Sequence, residues 1–286
     1  MTPRTIKTAL AATAVLGLAL TGMATADPVD DKLIIDGEEI TIRAPAPAHL
    51  NGALPDLISG WLYRDTETRA MQLDDFDNPG MIFVDRGIDS WNTADGTEGK
   101  SCASCHEGPE SMKGLRSVTP RVDAESGKLM NIESYINNCR TTRMGAEEWN
   151  PKSSSMIDML ALISLQSRGE LVNVAIDGAA APFYEKGKEI YYTRYGQLEL
   201  SCANCHEDNN GNYIRSDHLS QGHTNAFPLY RLKDAGLVSA QGRFVGCVRD
   251  TRAETFKIGS DEFNALELYV AARGNGLGVE GVGVRH

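Results

Sequence analysis

Cys102-Ala103-Ser104-Cys105-His106 and Cys202-Ala203-Asn204-Cys205-His206 each place two thiols three positions apart, with an imidazole directly after the second. This spacing suits covalent attachment of haem: each thiol adds to one vinyl group, and the adjacent histidine reaches the iron as proximal ligand. A zinc or redox Cys-x-x-Cys has no need of the trailing histidine. Two bound c-type haems are therefore expected, one on Cys102, Cys105 and His106, the other on Cys202, Cys205 and His206.

The opposite face of each iron needs a ligand as well. No methionine follows Met159, so the second haem cannot take a thioether from its own half, and the local candidates are His218, His223 and Cys247. For the first haem they are Cys139 and Met144, with Met112 and Met130 further away. Cys139 and Cys247 occupy equivalent places in a repeat, which favours a cysteine on both irons. A Cys139 to Cys247 disulfide competes in an oxidising compartment, but it would have to bridge the distal faces of two haem domains. A thiolate donates strongly and favours Fe(III), which makes a low-potential centre rather than a general electron carrier.

The second half carries something the first lacks. Between Arg231 and Lys257 six basic residues face three acidic ones, in a chain whose net charge is −11. An anion is the natural guest of such a segment. Arg243 lies four residues before Cys247 and shares a face with it if the segment is helical. A cysteine sulfur beside a guanidinium reads as a sulfur nucleophile as much as a ligand. Arg140, Arg143, Arg249 and Arg252 suit charge stabilisation of a thiolate or a haem propionate.

These residues sit in a repeat with an offset of 100. Phe83, Gly87, Trp91 and Gly96 answer to Phe183, Gly187, Tyr191 and Gly196, and Cys139-Arg140-Thr141-Thr142-Arg143 answers to Cys247-Val248-Arg249-Asp250-Thr251-Arg252 with one residue inserted. Spacings of four put each aromatic and glycine on one helix face, with glycine allowing a second helix to approach. Met156, Met159, Leu160 and Ile163 before Arg168-Gly169, and Phe263, Leu266, Tyr269 and Val270 before Arg273-Gly274, predict a closing helix in each half. The fold class expected is mainly α: two cytochrome c-like haem domains related by internal duplication, over 76–169 and 183–286, joined by an extended linker at 170–182.

Ahead of them, 27–75 reads as a small extension with a hairpin around Asp36-Gly37 and a semi-extended Ala44-Pro45-Ala46-Pro47. Residues 1–26 have a basic start (Arg4, Lys7), an apolar run and Ala24-Thr25-Ala26, the pattern of a cleaved secretory signal peptide. Export to the periplasm is expected, with no membrane span in the mature chain. The acidic balance argues against nucleic acid as a partner.

The duplicated attachment motif, Asn138-Cys139-Arg140 and above all Arg243-x-x-Gly246-Cys247 resemble the SoxA family, the c-type cytochrome subunits of the SoxAX complex of thiosulfate oxidation, over nearly the whole chain. The resemblance implies axial pairs His106 with Cys139 and His206 with Cys247. It also implies that Cys247 is the active-site cysteine, found as a persulfide, with Arg243 contacting substrate. The reaction implied joins thiosulfate to the cysteine of the carrier protein SoxY, carried in SoxYZ, and releases two electrons through the SoxX partner to a soluble cytochrome c. Two other readings remain open on the residues: a thiosulfate dehydrogenase that forms tetrathionate, and a plain dihaem electron carrier.

Overall fold

The structure, a computed structural model, describes residues 31–286; the signal peptide expected at 1–26 lies outside the described residues. Eight helices position the motifs: α1 (Met81–Asn92), α2 (Ala103–His106), α3 (Ile132–Cys139), α4 (Ser154–Leu165), α5 (Ala181–Tyr192), α6 (Cys202–His206), α7 (Ala240–Asp250) and α8 (Asp261–Arg273). Among the described residues none is long and apolar enough to cross a membrane.

Two helix pairs form the two largest cores. α1 packs on α4 through Val84, Gly87 and Trp91, and α5 packs on α8 through Tyr184, Gly187 and Tyr191. The glycines decide how close the pairs come: a Cβ on Gly87 would lie 2.6 Å from the Asp158 carbonyl oxygen, and one on Gly187 only 2.0 Å from that of Ala265. No real side chain fits either gap, so the repeated glycine is a packing requirement. Both closing helices are more deeply enclosed than an amphipathic stripe: Met156 to Ser164 are all buried, as are Phe263 to Arg273. α4 ends at Leu165, three residues before Arg168, whereas Gly274 caps α8 directly.

The enclosure comes from segments that cross between the halves. Residues 170–174 are extended, as the sequence predicts, yet they do not run free: Val172 N donates to Leu277 O, Gly276 N donates to Val172 O, and Leu171 bridges Gly278. Beyond them Gly178–Ala180 is already a turn of 3₁₀ helix, and α5 starts at Ala181 before Pro182. Proline is tolerated there because the first helical turn needs no N–H partner. The C-terminal tail buries Leu277, Val279, Val282 and Val284 completely, and Val282 packs into the α1–α4 core. Gly283–Arg285 pairs in parallel with Leu229–Arg231, which pairs antiparallel with Gly236–Val238.

The Asp36-Gly37 hairpin forms with Leu33 opposite Ile40, both turn residues having positive φ. Arg43–Pro45 pairs with Asp56–Ile58, so the proline-rich stretch begins as a strand. The extension is tied to the tail by Glu280, fully buried, which accepts hydrogen bonds from Ser59 Oγ, Gln72 Nε2, Asn225 Nδ2 and Arg285 Nη2. A buried carboxyl group with that many donors has its burial offset by hydrogen bonds and fixes the segments that supply them.

Candidate functional site

In the first half, a cavity of about 790 Å³ is lined by Cys102, Cys105, His106 and Cys139 together with apolar Met112, Leu115, Ile132, Ile136, Met159 and Ile163. Its size lies in the range of cofactor sites, and its chemistry, thiols and an imidazole at the rim of an apolar slot, fits a covalently held haem. Burial pushes the Cys102 thiol up to about 11, with the Cys139 sulfur adding to the effect. Arg140, next to Cys139, is fully committed: Nε donates to Glu147 O, Nη2 to Asp95 Oδ2, and the guanidinium lies 3.9 Å over the Trp149 ring. Met144 also lines this cavity, so the structure brings both sulfur candidates to it; Met130 lies elsewhere, on the strand Leu129–Met130.

In the second half, α6 begins with a capping box in which Ser201 and Asn204 satisfy each other's backbone N–H groups. This fixes the turn from which Cys202, Cys205 and His206 project. His206 Nδ1 lies 2.7 Å from Ser220 O. A carbonyl can only accept, so Nδ1 carries the proton and Nε2 presents its lone pair, the arrangement a proximal iron ligand requires. Burial, opposed by that hydrogen bond, pushes the imidazole down to about 4, so it stays neutral. Gly222, at φ +77, lets the backbone lie against this ring, since a Cβ there would come within 2.7 Å of His206 Cγ. Neither Ser220 nor Gly222 is marked by any motif, because the loop reaches His206 only through the fold.

Cys247 lies on α7 near enough to Cys202 and Cys205 for its sulfur to raise both thiols; burial is the larger cause, and takes Cys202 to about 12. Arg243, one helical turn before it, acts on the charges of Cys205 and His206. No hydrogen bond or ion pair of its guanidinium occurs among the described residues. Gly246 makes room for it: a Cβ there would stand 3.2 Å from Arg243 Nη1. Arg249 is exposed and pairs only loosely with Asp250, at 3.8 Å.

Both histidine rivals of Cys247 are engaged at Nε2, although His223 keeps a buried Nδ1 without a partner among the described residues. His218 Nε2 is 2.9 Å from Gly211 O, with its ring stacked on Tyr213, and His223 Nε2 is 2.8 Å from Gln221 Oε1. Cys139 and Cys247 are free thiols, with no disulfide between them.

The structure corrects the repeat around the distal cysteines. A Cβ on Gly96 would meet Met144 O and Ala146 N, and one on Gly196 would meet Thr251 O and Ala253 N. Met144 thus corresponds to Thr251, which places the extra residue in the first half, inside the π-helical turn Arg140–Met144. A single inserted residue in a helix produces such a bulge. Arg143 therefore corresponds to Asp250 rather than to Arg252. At the positions that matter for chemistry the first half has Tyr135 for Arg243 and Asn138 for Gly246.

Residues 86–172 match the family described as SoxA/TsdA, cytochrome c domain. The chain is 66% identical over 290 residues to L-cysteine S-thiosulfotransferase subunit SoxA of Paracoccus pantotrophus, covering 99% of this chain and 100% of the relative. It is 53% identical to the protein of that name from Rhodovulum sulfidophilum, over 97% of each. Among solved structures, the crystal structure of SoxXA from P. pantotrophus superposes with a TM-score of 0.89 at 66% identity, covering 91% of this chain and 100% of that one. The cytochrome c domain carries covalently bound c-type haem. With this identity across its whole length, the chain belongs to the SoxA family of L-cysteine S-thiosulfotransferase subunits.

Proposed function

We propose that this chain is the catalytic cytochrome of a periplasmic enzyme that oxidatively joins thiosulfate to the cysteine thiol of a carrier, SoxY in SoxYZ, and that it works as a heterodimer with SoxX. The observation that carries this reading is the unpaired Arg243 guanidinium, one turn before Cys247 and beside Cys205 and His206. In the reaction the carrier S–H bond breaks and a bond forms to the outer sulfur of thiosulfate. The products are a cysteine S-thiosulfonate, one proton and two electrons.

Arg243 binds and neutralises the sulfonate end, leaving the outer sulfur directed at Cys247. Cys247 sulfur joins that outer sulfur in a disulfide-like link with loss of the two electrons, in keeping with the persulfide chemistry the family implies. The carrier thiolate then attacks the outer sulfur, breaking the link and releasing the Cys247 thiolate. Two haems would be held covalently, one by Cys102 and Cys105 and the other by Cys202 and Cys205, with His106 and Cys139, and His206 and Cys247, as the side chains that would bind their irons. When bound, the second supplies a one-electron acceptor beside the sulfur chemistry, and the electrons pass on through SoxX to a soluble cytochrome c. The matched glycine contacts of α1–α4 and α5–α8 support two cytochrome c-like domains over 76–169 and 183–286, related by duplication and joined by 170–182. The basic and apolar leader at 1–26 supports export.

Anaerobic mass spectrometry of the purified heterodimer with SoxYZ and thiosulfate tests the reading. The expected result is two haems, about 32 Da of extra sulfur on the Cys247 peptide and thiosulfonate on the carrier. Tetrathionate formed without carrier would replace it with the dehydrogenase reading. Arg243→Ala is expected to lower kcat/KM for thiosulfate by roughly 10- to 100-fold, the worth of one charge-assisted contact, with haem content unchanged.

A further inference from the structure

Each distal cysteine lies eight residues after its helix N-cap: Asn131 caps α3 ahead of Cys139, and Ser239 caps α7 ahead of Cys247. The residues six before each cysteine, Glu133 and Gln241, are therefore equivalent, and both are buried. They converge on one side chain, Glu267 of α8. Gln241 Nε2 donates to Glu267 Oε2 at 2.8 Å, and Asn131 Nδ2 donates to the same oxygen at 3.1 Å. Gln241 also holds Asn264 Oδ1 and receives Gly259 N, which fixes its amide orientation. A cavity of about 10 Å³ lies between Glu133, Glu267 and Arg116.

Arg116 is the charged group that faces this pair from a third segment. Its three nitrogens each donate to a carbonyl, of Phe227, Thr119 and Thr224, and no hydrogen bond runs from it to either carboxylate among the described residues, so it offsets them from a distance. The remaining lining is neutral: Thr119, Ile132, Leu160, Phe227, Pro228 and Ala240. Two buried carboxylates facing one such cation cannot both ionise cheaply, and the second retains a proton. Burial first, and the Glu267 charge second, push Glu133 up to about 8.

We propose that Glu267 is the shared positioning residue for Cys139 and Cys247, and that the proton on Glu133, across the small cavity from Glu267, sets how firmly both distal helices are seated. A change made under one haem site is thereby felt under the other. The inference rests on the assignment of the two cysteines as distal ligands. Its sign follows from the charges. Below pH about 8 Glu133 is protonated and places no second charge opposite Glu267 in the cavity. Above that pH the Glu133 charge, in the first turn of α3, opposes that of Glu267 midway along α8, and the distal helices loosen.

The test uses the haem-loaded heterodimer and two readouts: low-temperature electron paramagnetic resonance from pH 6 to 9.5, and hydrogen exchange of the first turns of α3 and α7. Glu267→Gln is expected to shift the low-spin signals of both haems and to speed exchange in both turns by at least about tenfold, the factor for a lost charge-assisted hydrogen bond. Gln241→Met is expected to move only the signal of the Cys247 haem. Glu133→Gln, which mimics the protonated acid, is expected to match the native spectrum at pH 6 and to lack the step near pH 8. Persistence of that step in Glu133→Gln, or a Glu267→Gln variant that moves one haem or neither, overturns the inference. A wild-type spectrum without thiolate ligation defeats the ligand assignment instead, and the paired change in exchange still decides the anchoring role.

Discussion

Cys247→Met is expected to leave a folded dihaem protein with turnover reduced by at least about 10³-fold. A thioether has no S–H, so it cannot form or exchange a persulfide, and the sulfur-bonding step loses its atom. Methionine does remain an iron ligand, a neutral one that no longer favours Fe(III). The potential of the second haem is expected to rise by a few hundred millivolts, within the roughly 0.8 V that axial ligation spans. The substitution thus separates two roles. A plain carrier would keep passing electrons at the new potential, whereas the conjugating enzyme goes silent. Potentiometry and thiosulfonate formation, measured on one preparation, check both halves of the expectation. Turnover surviving the substitution would remove Cys247 from the mechanism.

Gly187→Ala is expected to have the largest effect on folding. The added Cβ would lie 2.0 Å from Ala265 O and 2.8 Å from Tyr269 Cβ, and the nearer atom is main chain, which cannot swing aside. α5 and α8 would have to separate along a contact that carries Tyr184, Tyr191, Phe263 and Tyr269. A cost of at least about 3 kcal/mol is expected, at the upper end of overpacking effects. With residues 31–286 unfolding as one unit, that lowers Tm by roughly 6 to 12 °C, which calorimetry of the holoprotein reads directly. Gly246→Ala provides the contrast: its Cβ would meet only the tip of the Arg243 side chain, at 3.2 Å. It is expected to spare stability and to raise KM for thiosulfate.

These two glycines show where sequence reasoning reaches and where it stops. Gly87 and Gly187 were legible as helix-crossing positions because the aromatic residues four places away on either side repeat in both halves. Gly246 was legible only as part of the Arg243-x-x-Gly246-Cys247 pattern. What it accommodates, the Arg243 guanidinium, is a matter of side-chain direction on α7. The repeat itself misled at one point. The shared Arg-x-Thr-Arg of 140–143 and 249–252 implies an extra residue in the second half, but the backbone contacts of Gly96 and Gly196 put it in the π turn after Cys139.

The two attachment motifs were legible from local spacing, since covalent haem attachment acts over a few residues and leaves its mark in the chain order, whereas Cys139 and Cys247 stood out among several distal candidates only through the repeat and the family resemblance. The carbonyl of Ser220 on His206, the convergence of Asn131, Gln241 and Glu133 on Glu267, and the tail that closes over both halves came from tertiary structure alone. They join residues tens to more than a hundred positions apart. Hydrogen bonding and charge at such sites depend on which groups the packed core leaves facing one another, and no short-range pattern encodes that.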